Sequence, residues 1–318
     1  MKKLFAHYLD MNDKDFLDDL NESLGRLNNR LSLGGRDKYL NIFVLGLPRS
    51  GTTLLTQLLY SCMNVQCTNN LMAKFWNSPL VGAKLSSILL SKKESNYNSN
   101  LGSTELLSDP HEFSWFWQSR LNYNQSDKSL DFIKSSISQK NLDKLFKEIN
   151  DMNCIVESSM IHKPLELLIP FLSVINSSMS NALFIYIFRP DLEVASSLLN
   201  ARESRFGDTS KMWGSIPFGI SPKEFDCYSV VDQVAIQIKQ LKLQYEQEMD
   251  SLNDTNLIRV SYEELCLKPL EVIETIVRSP LSVRHGLKQT CSQIPIFSPR
   301  NSKVHPLSTK VLEQIELL

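Results

Sequence analysis

Histidine is scarce in this 318-residue chain, with 5 copies, and the six cysteines include no C-x-x-C pair. Metal-ligand spacing of His and Cys is therefore missing, so a zinc finger or ribbon is excluded and no bound metal is expected. Cys62, Cys67, Cys154, Cys227, Cys266 and Cys291 are scattered along the chain and read as reduced thiols rather than a disulfide framework. A long apolar run is missing too. The opening MKKLFAHYLDMNDKDFLDDL is interrupted by acids before any stretch that could serve as a signal or an anchor, so a cytoplasmic protein without stable membrane insertion is expected. Nor is there an excess of one charge: 34 basic against 35 acidic residues leave a formal charge of -1. Without an overall field no nucleic-acid partner is expected, and any anionic ligand must be held by a local site. Internal repeats and low-complexity tracts are absent as well.

What is present is an ordinary globular composition, 42% hydrophobic and 22% charged, and a length that favours one α/β domain over residues 1–318. Residues 10–32 place Phe16, Leu17, Leu20, Leu24, Leu27 and Leu31 at helical spacing, and Gly34-Gly35 ends that pattern. Tyr39 to Leu45 reads as a buried strand, followed by a glycine-containing loop and a helix from about Thr52 to Met63. Further strands are expected at Cys154 to Glu157, Ala182 to Phe188 and Asn256 to Val260. Helices are expected around 164–174, 192–203, 226–252 and 262–277, the last opened by a Ser261-x-x-Glu264 capping box. Such alternation predicts a P-loop NTPase-like three-layer α/β/α fold around a parallel sheet. The core covers about 40–278. The polar stretch at about 64–152 reads as helices and loops inserted above the sheet for acceptor recognition, and 279–318 reads as a tail.

The loop Gly46-Leu47-Pro48-Arg49-Ser50-Gly51-Thr52-Thr53 lies between strand and helix, where uncapped N–H groups and the helix dipole attract an anion. Glycines admit a close approach, and Arg49, Ser50, Thr52 and Thr53 add donors, so a bound phosphate is expected rather than an empty turn. Position 52 holds threonine where a Walker A loop carries lysine, which disfavours a kinase or ATPase. A second strand-to-helix junction reads Arg189-Pro190-Asp191-Leu192-Glu193-Val194-Ala195-Ser196-Ser197. Taken alone it is equally a capped turn.

Together the two segments resemble the PAPS-dependent sulfotransferases, bacterial-type members in particular. The first matches that family's 5′-phosphosulfate loop, P-[K/R]-[S/A]-G-T-T, without a gap. The second matches its 3′-phosphate arginine and the serine eight residues later. HEFSWFW at 111–117, ARESRFGD at 201–208 and IRVSYEELCLKPLEVI at 258–273 extend the resemblance over about 40–278. It implies PAPS as co-substrate, PAP as product, and donor-binding roles for Pro48, Arg49, Ser50, Gly51, Thr52, Thr53, Arg189 and Ser197. The chain departs from the cytosolic branch in carrying Arg49 for the loop lysine and in lacking an R-K-G triplet, whose work Arg300-Asn301-Ser302-Lys303 would have to do.

Sulfuryl transfer also needs a group to take the acceptor's proton. Glu112 is the preferred general base and His111 the alternative, beside Phe113, Trp115, Phe116 and Trp117, which form either an acceptor wall or ordinary core. Arg49 would stabilise charge during transfer. His162-Lys163, before the Pro164 helix, reads as a surface pair at a helix start in preference to a pair that approaches the site, and Arg205 as a solvated residue or an anion contact. The expected acceptor is a small molecule, carbohydrate or lipid. A P-loop phosphotransferase, and a PAPS-binding protein without turnover, are the competing readings. The oligomeric state is left open.

Overall fold

The computed structural model describes residues 13–90, 97–121, 128–299 and 304–318; the N-terminal residues 1–12 and the Arg300 to Lys303 segment lie outside them. Five strands, β1 (Asn41–Leu45), β2 (Val65–Cys67), β3 (Ser159–His162), β4 (Ala182–Phe188) and β5 (Leu257–Ser261), form one sheet in the order β2-β3-β1-β4-β5. Every pairing is parallel. A parallel sheet must be covered on both faces, and the strand residues divide accordingly. Phe43, Leu45, Phe184 and Tyr186 enter one core, while Ile42, Val44, Leu183, Ile185 and Ile187 enter the other.

The second core is closed by α3 (Thr52–Cys62), α12 (Tyr262–Leu267) and α13 (Pro269–Val277), through residues such as Leu55, Leu58, Leu265 and Ile273. The first, larger core is closed by α5 (Ser114–Leu121), α7 (Gln139–Val156), α9 (Asp191–Phe206), α11 (Val230–Met249) and α15 (Ser308–Leu317). Helices on both faces of the sheet give the expected three-layer α/β/α architecture. Among the described residues no helix is long and apolar enough to cross a membrane, and no disulfide joins any of the six cysteines.

Several local expectations are corrected. Cys154 to Glu157 is not a strand: α7 runs through Val156, Glu157 closes it in the left-handed conformation, and the strand begins at Ser159. The reason is helical docking. Leu142, Leu145, Ile149 and Met152 keep one face of α7 buried, and Asn153 Nδ2 donates to Asn41 Oδ1 of β1 at 2.8 Å, which outweighs the β-branched Ile155-Val156 pair. Val65–Cys67, inside the stretch read as helices and loops, is an edge strand. The helix expected over 262–277 is divided, because Pro269 has no N–H to continue α12 and instead starts α13. Ser261 does not cap α12 with its side chain, so the capping box is not formed.

Candidate active site

In this strand order the chain leaves β1 toward β2 on one side and later crosses to β4 on the other. The carboxyl ends of β1 and β4 therefore flank a topological switch point, where parallel α/β folds open a crevice. A cleft of about 390 Å³ lies there. The β1–α3 loop forms one wall. Gly51 caps α3 with φ 108° and no side-chain acceptor, leaving the first helical N–H groups without a protein cap. Alanine there would force its neighbours to shift, because a Cβ on Gly51 would run into the Tyr262 ring. Arg49 itself adopts φ 71°, a left-handed conformation unusual for a side chain of its size.

The other wall is the β4–α9 junction. Pro190 ends β4 and starts α9, which leaves Arg189 at the strand end and Ser197 on the helix. Arg49 Nε donates to Ser197 Oγ at 3.1 Å, and Arg189 Nη1 donates to the Arg49 carbonyl at 3.3 Å. The two segments read separately from the sequence thus form one constellation. Arg189 also pairs with Glu193 at 2.7 Å and lies 4.4 Å over the Tyr262 ring, so its guanidinium is held in place before any ligand arrives. Arg49 lies 5.6 Å over Trp213.

Among the predicted site residues, Pro48, Arg49, Gly51, Thr52, Thr53, Glu112, Arg189 and Ser197 all line the cleft. Ser50, within the loop, is not part of that lining, and its buried Oγ has no hydrogen-bond partner among the described residues. His111 is not part of the lining; its Nδ1 accepts the Phe113 N–H at 2.8 Å.

The aromatic segment does not form a wall of the cleft. Phe113, Phe116 and Trp117 are buried in the core, where Trp117 packs on Phe43 and His162, and Trp115 packs edge-on against Trp76. Burying these large rings against β1 excludes more apolar surface from water than lining an open cleft would.

The largest departure concerns His162 and Lys163, expected at the surface and found fully buried, at 0% and 1% exposure. Neutral His162 hydrogen-bonds Asn41 Oδ1 through Nε2 at 3.1 Å, and burial lowers its pKa to about 3. Lys163 sends its ammonium into the site: Nζ is 2.6 Å from Glu112 Oε1 and donates to Thr53 Oγ1 at 3.2 Å. The cation missing at loop position 52 is thus supplied next to the loop from the end of β3. Nearby Glu166 has one carboxyl oxygen buried without a partner among the described residues, and burial raises its pKa, with the charge of Glu112 adding to the effect.

Arg205 in the last turn of α9 and Asp208 just past it are exposed, whereas Arg202 of the same helix is buried and donates to Gln233 and Gln237, each at 2.8 Å. Gln237 in turn holds the Trp213 and Ser215 carbonyls, so this buried network fixes the cleft wall at 213–215. From the tail, Phe297 reaches the cleft mouth and packs edge-on against Tyr97.

A family model described as "Sulfotransferase family" matches residues 41–279. The chain belongs to the sulfotransferase family. The match begins at β1 and runs beyond α13, so it includes both arginine-bearing junctions of this sulfotransferase. Its fold is similar to that of sulfotransferase STF1 from Mycobacterium tuberculosis H37Rv, with TM-score 0.54 and 16% identity, covering 97% of this chain and 86% of that one. It is also similar to sulfotransferase STF9 from Mycobacterium avium, with TM-score 0.51 and 12% identity, covering 84% of this chain and 71% of that one. At these identities the likeness is one of fold. No curated protein matches the sulfotransferase significantly. The family supports sulfuryl transfer, and among the described residues no three His, Cys, Asp or Glu side chains are grouped as metal ligands.

Proposed function

We propose that this sulfotransferase moves the sulfuryl group of PAPS to an acceptor hydroxyl or amine and releases PAP. The reading is carried by the convergence of Arg49 and Ser197 at 3.1 Å, with Arg189 bound to the Arg49 carbonyl, beside the uncapped start of α3. The site offers donors for two anionic groups, which is what a nucleotide with a 5′-phosphosulfate and a 3′-phosphate requires. The loop Gly51, Thr52 and Thr53 would hold the 5′ end, and Arg189 with Ser197 the 3′-phosphate. The buried Ser50 Oγ in the same loop, without a partner among the described residues, would be a further donor.

In the transfer, Glu112 takes the proton of the acceptor O–H or N–H as the acceptor atom bonds to sulfur. The bond from sulfur to the 5′-phosphate oxygen breaks and PAP leaves with the electron pair. Arg49 and the loop N–H groups oppose the charge that grows on the leaving phosphate. Glu112 is preferred over His111 because it lines the cleft, while the His111 ring is engaged with its own backbone turn.

Calorimetry of PAP and of ATP without magnesium, on the unaltered protein and on Arg189→Ala, tests the reading. PAP should bind more tightly than ATP and lose about 1.5 to 3 kcal/mol on removal of the guanidinium. Absence of PAP binding, or a magnesium-dependent preference for ATP, would replace it with a phosphotransferase. PAP binding without sulfation of any acceptor would leave a binding protein.

A further inference from the structure

A buried lysine between the candidate base and the phosphate loop has no counterpart among the donor contacts described above. Lys163 Nζ is 2.6 Å from Glu112 Oε1 and 3.2 Å from Thr53 Oγ1, and the residue is 1% exposed. Thr53 belongs to the first turn of α3 and lines the cleft. One ammonium therefore touches both halves of the proposed reaction, the residue that takes a proton and the loop that receives the donor.

We propose that Lys163, by bridging Glu112 and Thr53, ties the basicity of Glu112 to occupation of the donor site. This rests on the donor reading above. Without donor, Lys163 neutralises Glu112, and a carboxylate held by an ammonium is a poor base. When the donor's 5′ anion enters the loop beside Thr53, it becomes the stronger attractor for the same ammonium. A lysine head carries three donors on a flexible stem, so it can turn from one anion to the other without movement of β3. Glu112 then loses part of its partner's charge, its proton affinity rises, and it becomes competent when there is sulfuryl to transfer.

The remaining ionisable groups around the pair bear on the same balance. Glu166 acts electrostatically on Glu112 as a like charge. His111 precedes Glu112, His162 precedes Lys163 and stays neutral, and Arg49 on the loop and Arg189 on the opposite wall line the cleft. The Lys163 contacts join Glu112 to the loop directly.

The test is proton uptake on PAP binding, measured by calorimetry at about pH 6 in buffers of different ionisation enthalpy. PAP has titrating phosphates of its own, so the informative quantity is the difference between unaltered protein and Glu112→Gln. A surplus on the order of a few tenths of a proton is expected in the unaltered protein, absent in both Glu112→Gln and Lys163→Gln. Lys163→Gln should also bind PAP about tenfold more weakly, with partial recovery in Lys163→Arg. Equal proton uptake by the unaltered protein and Glu112→Gln, with PAP bound to both, overturns the inference and leaves the donor reading intact. Failure of the unaltered protein to bind PAP overturns the donor reading and the inference with it. Should Lys163→Gln not fold, the comparison with Glu112→Gln at the open cleft decides alone.

Discussion

Arg49 and Ser197, 148 positions apart in sequence, are joined by a 3.1 Å hydrogen bond from Nε to Oγ across the ends of β1 and β4. The bond joins the β1–α3 loop to α9, so the two anion pockets proposed above share one contact.

Because the contact is shared, its two members should not act independently on ligand binding. Arg49→Ala and Ser197→Ala are each expected to weaken PAP binding, and the double variant to lose less than the sum, with a coupling of about 0.5 to 3 kcal/mol. Strict additivity in a calorimetric double-mutant cycle would show that the bond does not organise the donor site.

Gly51 is under a different constraint. With φ 108° and a would-be Cβ 2.4 Å from Tyr262, Gly51→Ala must displace the ring on which Arg189 rests at 4.4 Å. Backbone strain and overpacking together should cost about 2 to 4 kcal/mol of stability, and PAP affinity should fall at the same time. Retention of unaltered PAP affinity would mean that Tyr262 and Arg189 can move apart without consequence.

His162 gives the protein a pH-dependent term. Its folded pKa of about 3 lies below the ordinary 6.5, because burial disfavours the cation. The unfolded chain therefore takes up a proton on acidification while the folded chain does not, so stability is lost as pH falls from about 6.5 toward about 3. Between pH 7 and pH 5 the loss from this group should be about 2 kcal/mol. Urea unfolding of His162→Gln at both pH values should show a correspondingly smaller drop than the unaltered protein; identical drops would mean that the ring is protonated in the folded state.

The sequence by itself determined three of the five strands, β1, β4 and β5, and the residues proposed to bind the donor. The run ALFIYIF has apolar residues facing both ways, a pattern only a doubly covered strand satisfies, and β4 spans those seven residues. The loop at 46–53 and the Arg189 to Ser197 segment carry their chemistry in consecutive residues, so both could be read without a structure. Where local propensity competed with packing, the sequence misled. Ile155-Val156 favours a strand, yet the asparagine and leucine face of α7 holds it as the last turn of a helix.

Tertiary structure alone decided the opposite side of the cleft. Lys163 and Arg202 carry charges whose sequence context suggests solvent, and only the long-range partners Glu112, Thr53, Gln233 and Gln237 make their burial affordable. The HEFSWFW segment was divided in the same way, its rings going to the core against Phe43 and Glu112 going to the cleft. A short motif records which groups are present, but a buried charge is tolerated or not according to what the folded chain brings beside it, and those neighbours come from distant strands.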